Sequence, residues 1–105
     1  MGFVQVLTTT DNEEEAARLA RALLQERLAA CVQVVGPMTS HYWWQGQLEQ
    51  TTEWLCLIKT RDELLDKVVD TLHREHSYDT PEITATPIVG GSDRYLHWIT
   101  RETKM

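Results

Sequence analysis

Basic residues are scarce in this chain. Ten Lys and Arg stand against 16 Asp and Glu, a formal net charge of −6 over 105 residues. Phosphate is repelled at long range by that balance, so non-specific binding to nucleic acid or to an anionic membrane is disfavoured. Cysteine is scarcer still, with only Cys31 and Cys56. They form no CxxC and stand in no Cys/His cluster at zinc spacing, which argues against structural zinc. Two thiols in a cytosolic chain are more often reduced than bridged. No apolar run approaches the roughly 20 residues that span a bilayer. The start, Met1-Gly2-Phe3-Val4-Gln5, lacks the basic opening and apolar run of a secretory signal, so the expected compartment is the cytoplasm. GxGxxG and Walker-type loops are missing, and no nucleophile–base pair can be placed. The motifs therefore point to no organic cofactor.

What is present is a globular composition, 42% hydrophobic and 25% charged, which argues against disorder. The length predicts a single domain over 1–105 with one core.

Phe3 to Thr8 alternates in β-rich residues and predicts a first strand. Asp11 with Glu14 forms a capping-box pattern, and Ala16, Leu19, Ala20, Leu23, Leu24 and Leu28 recur at helical spacing. The first helix is expected over about 12–28, with Glu13, Glu14 and Glu15 near its positive end. Ala29 to Val35 predicts the second strand. Gly36-Pro37 then interrupts it, and a bulge or bend is expected there because Pro cannot donate to a ladder. The β pattern resumes from Met38 to Trp44, turns at Gln45-Gly46, and returns from Gln47 to Lys59. Thr60 to Glu63 is a second capping box, and Leu64, Leu65, Val68, Val69 and Leu72 form the stripe of a helix over about 61–75. After a loop from His76 to Pro81, Glu82 to Val89 reads as the fourth strand, an edge or strand end by its Pro87. Asp93 to Thr103 closes the chain as a short helix with Tyr95, Leu96, Trp98 and Ile99 inward. The order β-α-β-β-α-β predicts an α+β fold, a four-stranded antiparallel sheet with two helices on one face: the ferredoxin-like plait plus a C-terminal helix.

The second and third strands are too long for such a body. A turn at 45–46 pairs Trp44 with Gln47 and Tyr42 with Glu49, and brings Cys31 near Thr60. About 14 residues at roughly 3.3 Å each make an arm on the order of 45 Å, against an expected radius of gyration of about 13 Å. The part from Ser40 to Thr51 should project, carrying Tyr42, Trp43 and Trp44 together. Exposed rings and unpaired strand edges call for a neighbouring subunit that covers them. The competing reading is a hairpin that bends at Gly36-Pro37 and folds back on its own chain.

Several spaced motifs then resemble one family, the CutA divalent-cation tolerance proteins. They are Leu28-Ala29-Ala30-Cys31-Val32, Ser40-His41-Tyr42-Trp43-Trp44-Gln45-Gly46, Glu53 with Ile58-Lys59-Thr60, His76-Ser77-Tyr78-Asp79-Thr80-Pro81-Glu82-Ile83, and Tyr95-Leu96-His97-Trp98 after Gly90-Gly91. The resemblance runs end to end. It implies a homotrimer built by the long hairpins, like the PII signalling proteins in outline, with Tyr42, Trp43, Trp44 and Trp54 at the subunit interface. It also implies a role linked to copper or another divalent metal, and no established reaction. Ser77 stands where the family usually has Pro. Where the family's copper site has a Cys ending the first strand and two adjacent His, this chain has Thr8, Glu75 and His76.

His76 is the first metal candidate, since neutral imidazole suits Cu(II). Glu75 offers a carboxylate oxygen, although neighbouring side chains on a helix end diverge, and Cys31 a soft donor for Cu(I). The competing roles are a helix-terminal cap for His76 and plain core packing for Cys31. Cys56 reads as packing, too far along the hairpin from Cys31 for a disulfide. Glu53, Lys59, Tyr78 and Glu82 are the polar residues that the resemblance puts near an inter-subunit cleft. Lys59 with a carboxylate suits anion binding or proton transfer, or simply a structural ion pair. His41 and His97 are expected on solvent faces by alternation. Three functional readings follow: a divalent-metal tolerance trimer, a PII-like trimer that binds a partner or small anion, and an enzyme using Lys59, Glu53 and Tyr78. A nucleic-acid module on this plait is disfavoured, because the third strand lacks an aromatic-basic reading motif.

Overall fold

The computed structural model describes residues 2–104. Its elements are β1 (Phe3–Thr10), α1 (Glu13–Gln25), β2 (Cys31–Trp44), β3 (Gln47–Arg61), a 3-10 turn at Asp62–Leu64, α2 (Leu65–Glu75), β4 (Ile83–Ile88) and α3 (Asp93–Glu102). The four strands form one antiparallel sheet in the order β2-β3-β1-β4. This is the α+β arrangement that the element order predicts, with β4 at an edge as Pro87 required.

The core follows from two periodicities. Val4, Val6, Cys56 and Ile58 alternate onto one face of the sheet. Ala16, Leu19 and Leu23 of α1 meet them there, with Leu64, Val68 and Leu72 around α2. Burying Leu19, Leu23, Ile58 and Leu72 stabilises by about 1.5–3 kcal/mol each on area grounds. α3 packs separately: Ile99 is fully buried, and Arg61 Nε donates to Thr103 Oγ1 at 2.8 Å. Tyr95, expected inward, is partly open at 42% exposure.

Helix boundaries differ from the pattern for local reasons. Asn12, not Asp11, is the α1 cap, its side chain accepting from the Glu15 amide at 3.0 Å. α1 stops at Gln25 because Arg27 turns left-handed at φ 60°. The Arg27 and Leu28 amides then donate back to Leu24 O and Leu23 O, which closes the helix end. Leu28 stays in the core from beyond the helix, while Leu24 is half exposed. The second capping box does not form. Thr60 Oγ1 donates instead to Leu28 O at 2.6 Å, and Glu63 pairs with Arg61. β1 extends to Thr10 because Thr9 and Thr10 still find partners in Leu55 and Trp54.

The hairpin is the expected one, with an altered register near its root. Gln45 (φ 51°) and Gly46 (φ 78°) form the turn, both left-handed as a two-residue hairpin of primed type demands. Trp44 pairs with Gln47 and Tyr42 with Glu49. Between Val35 and Met38 the ladder shifts by one residue, so Cys31 faces Lys59 rather than Thr60. Gly36 belongs there for a steric reason: a Cβ would lie 2.4 Å from Trp54 Cδ1. The molecule extends 44 × 25 × 21 Å, and every residue from His41 to Gln50 is exposed.

Candidate functional site

The loop that follows α2 organises the site. His76 caps α2, its amide donating to Leu72 O at 2.9 Å. Its side chain is fully buried. Nε2–H donates to Thr9 O at 2.8 Å, and Nδ1 accepts from the Tyr78 amide at 3.1 Å. Those two bonds define the neutral tautomer with the proton on Nε2 and leave neither nitrogen free. Glu15 lies 3.4 Å from Nδ1. Its Oε2 accepts from Thr10 Oγ1 (3.0 Å), Ser77 N (3.2 Å) and Ser77 Oγ (3.0 Å). Burial pushes the Glu15 carboxyl up, but the hydrogen bonds from Ser77 and Thr10 outweigh it and the net shift is downward.

Tyr78 carries this network to the hairpin. Its ring tilts against His76, centroids 4.9 Å apart, and its hydroxyl donates to Glu53 Oε2 at 2.7 Å. Burial, then the Glu53 carboxylate, raises the Tyr78 phenol far above its usual range. Glu53 is only 6% exposed. Across the hairpin it pairs with Met38, which places Ser40, Tyr42 and Trp44 on its side of the ribbon by alternation. A cavity of about 810 Å³ opens between the hairpin and the 77–82 loop, lined by Glu53, Tyr42, Trp43, Trp44, Tyr78, Glu82 and their neighbours. Its volume is that of a small-molecule site.

The three metal candidates do not converge. His76 has both nitrogens engaged. Glu75 turns to α1, accepting from Arg18 Nη1 at 2.9 Å while Arg18 Nη2 holds the Glu75 carbonyl at 2.8 Å. Cys31 sits at the other end of the sheet, opposite Lys59 and beside the Tyr95 hydroxyl, whose acidity burial and this thiol both lower. Among the described residues, no three His, Cys, Asp or Glu side chains are grouped to hold a metal ion. Burial pushes the Cys56 thiol up to about 11, which keeps it protonated in the core.

The cleft candidates divide. Glu53, Tyr78 and Glu82 line one cavity, and Lys59 does not. Lys59 lies six residue steps along β3 from Glu53, roughly 20 Å. Lys59 donates to Gln33 Oε1 instead of forming the expected ion pair. Trp54 is half buried against its own core and covers Gly36, whereas Trp43 (72%) and Trp44 (46%) are open. Sequence reasoning missed Glu15, Thr9 and Ser77 as the supports of His76. Glu15 was legible only as one of three acidic residues opening a helix.

Residues 4–102 match the family model described as CutA1 divalent ion tolerance protein. A chloroplastic CutA protein of Arabidopsis thaliana is 42% identical over 101 residues, covering 96% of this chain and 56% of that one. This chain therefore spans little more than half of that plant relative. The divalent-cation tolerance protein CutA of Thermus thermophilus is 43% identical over 98 residues, covering 93% and 95% of the two chains. The crystal structure of CutA1 from Oryza sativa superposes with a TM-score of 0.96 at 40% identity, covering 99% and 95%. On sequence and on fold alike, the chain belongs to the CutA1 divalent ion tolerance family.

Proposed function

We propose that this chain acts in the cytoplasm as a homotrimer in tolerance of divalent cations such as copper, binding a small ligand in a cleft shared between subunits. One observation carries the reading: the hairpin tip presents Trp43 at 72%, Trp44 at 46% and Leu48 at 67% exposure on an arm that leaves its own sheet. Rings on a ribbon with unpaired edges are stable in water when a neighbour covers them. The relatives named for divalent-cation tolerance support the cation link. His76, Glu75 and Cys31 do not fit a metal held within one protomer, because the first two are spent on Thr9, Tyr78 and Arg18 and the third lies apart. The ligand role accordingly falls to the cavity of Glu53, Tyr78 and Glu82.

The PII-like reading, in which a partner or small anion is bound and metal is incidental, draws support from the engagement of both His76 nitrogens. Catalysis by Lys59 with Glu53 and Tyr78 has no such support in one protomer, since Lys59 lies outside the cavity.

Sedimentation equilibrium at micromolar concentration tests the assembly. A mass three times 12.1 kDa is expected, and a compact monomer overturns the reading. Growth of a gene-deleted strain on Cu(II), with and without the gene restored, tests the tolerance role. Equal growth rejects it.

A further inference from the structure

The cavity beneath the hairpin has one sign of charge. Glu53, Asp79 and Glu82 line it with His41, and among the described residues neither Lys nor Arg does. Glu53 is the unusual member. It is nearly buried, accepts a hydrogen bond from Tyr78, and takes part in no ion pair among the described residues. A carboxylate drawn out of water without a cation is costly, and such a group favours any positive guest that reaches it. Tyr42, Trp43, Trp44 and Tyr78 share the lining with Met38 and with the small polar residues Thr9, Ser40, Ser77 and Thr80. Ring faces attract weakly hydrated cations. An inorganic ion is the poorer fit, since it needs several converging donors and none converge among the described residues.

We propose that this cavity binds a small organic cation, an alkylated ammonium, with Glu53 as counter-charge and Tyr42, Trp44 and Tyr78 as walls. The inference rests on the trimeric small-ligand reading above.

The test is titration calorimetry on the whole chain at fixed ionic strength, using tetramethylammonium and its neutral isostere tert-butanol. Saturable binding of the ammonium, at least tenfold tighter than the alcohol, is expected. Glu53→Gln keeps the Tyr78 hydrogen bond and should weaken the ammonium at least tenfold at unchanged sedimentation mass. A trimethyllysine peptide should bind no tighter than tetramethylammonium, and tighter binding overturns the assignment to a free cation. Equal binding of ammonium and alcohol, or full affinity in trimeric Glu53→Gln, overturns the site and leaves the trimer standing. A monomeric wild type overturns the trimer, and the ammonium titration on that monomer still decides the site.

Discussion

His76 donates from Nε2 to the carbonyl of Thr9 at 2.8 Å, a bond across 67 residues that ties the end of α2 to the end of β1. Through Nδ1 the same ring holds the Tyr78 amide, and so sets the loop that carries Tyr78 to Glu53. The histidine is a structural keystone of the cavity wall. His76→Ala strands a buried carbonyl and an amide, and is expected to cost about 1–3 kcal/mol. Urea unfolding measures that loss. Calorimetry with Cu(II) should show equal binding by wild type and variant. A loss of Cu(II) binding at intact fold would return His76 to the role of ligand.

Glu15 makes the acid side of stability predictable. Its carboxyl is lower in the folded chain than the ordinary value of 4.5. A depressed acid contributes stability that is complete above its unfolded value and is lost as pH falls through the folded one. Wild type should therefore lose stability below about pH 4.5 more steeply than Glu15→Gln, which cannot titrate there. Unfolding midpoints from pH 6 down to pH 2 check it, and parallel curves would contradict the assignment.

Gly36 and Trp54 form a steric lock. A methyl group on Gly36 would meet the indole at 2.4 Å. Gly36→Ala is expected to destabilise by about 1–3 kcal/mol as an overpacked site. Trp54→Leu in the same chain should recover part of that loss, because the colliding ring is gone. Denaturant midpoints of both singles and the double give the coupling.

Thr8 is the opposite case. Its Oγ1 is buried with no hydrogen-bond partner among the described residues, although the residue faces Cys56 and Ile83. Thr8→Val keeps the shape and removes the unmet hydroxyl. It should stabilise by about 1 kcal/mol. A loss of stability would mean that the hydroxyl is served by something other than protein.

Much of this was legible in the chain itself. Alternation and helical spacing gave the order of elements, Gln45-Gly46 gave the turn, and Gly36-Pro37 gave the bulge. What escaped was set by tertiary contact. The pattern Thr60 to Glu63 has the residues of a capping box, but Leu28 O was the better acceptor for Thr60 and Arg61 the better partner for Glu63. A histidine beside a helix end looks the same in sequence whether its nitrogens face solvent or a strand carbonyl 67 residues away. Lys59 and Glu53 share β3, and only the extended rise of the strand separates them into different neighbourhoods.

The extra residue at Gly36–Pro37 is absorbed in β2 alone, so the arm beyond it keeps the phase of β3. In β2, Cys31 and Val35 share a side with Lys59 and Leu55, so an unbroken ladder would carry that side on through odd-numbered positions. The insertion hands it to the even ones, Met38, Tyr42 and Trp44, opposite Glu53 and Glu49. Excising one of the two residues would leave an unbroken ladder in which Met38 still faces Glu53 and Tyr42 still faces Glu49, so the outer ribbon would lose the kink and keep its sides. Which rings share the side of Glu53 is thus decided by the turn at Gln45-Gly46, and the kink takes up the odd residue without disturbing them.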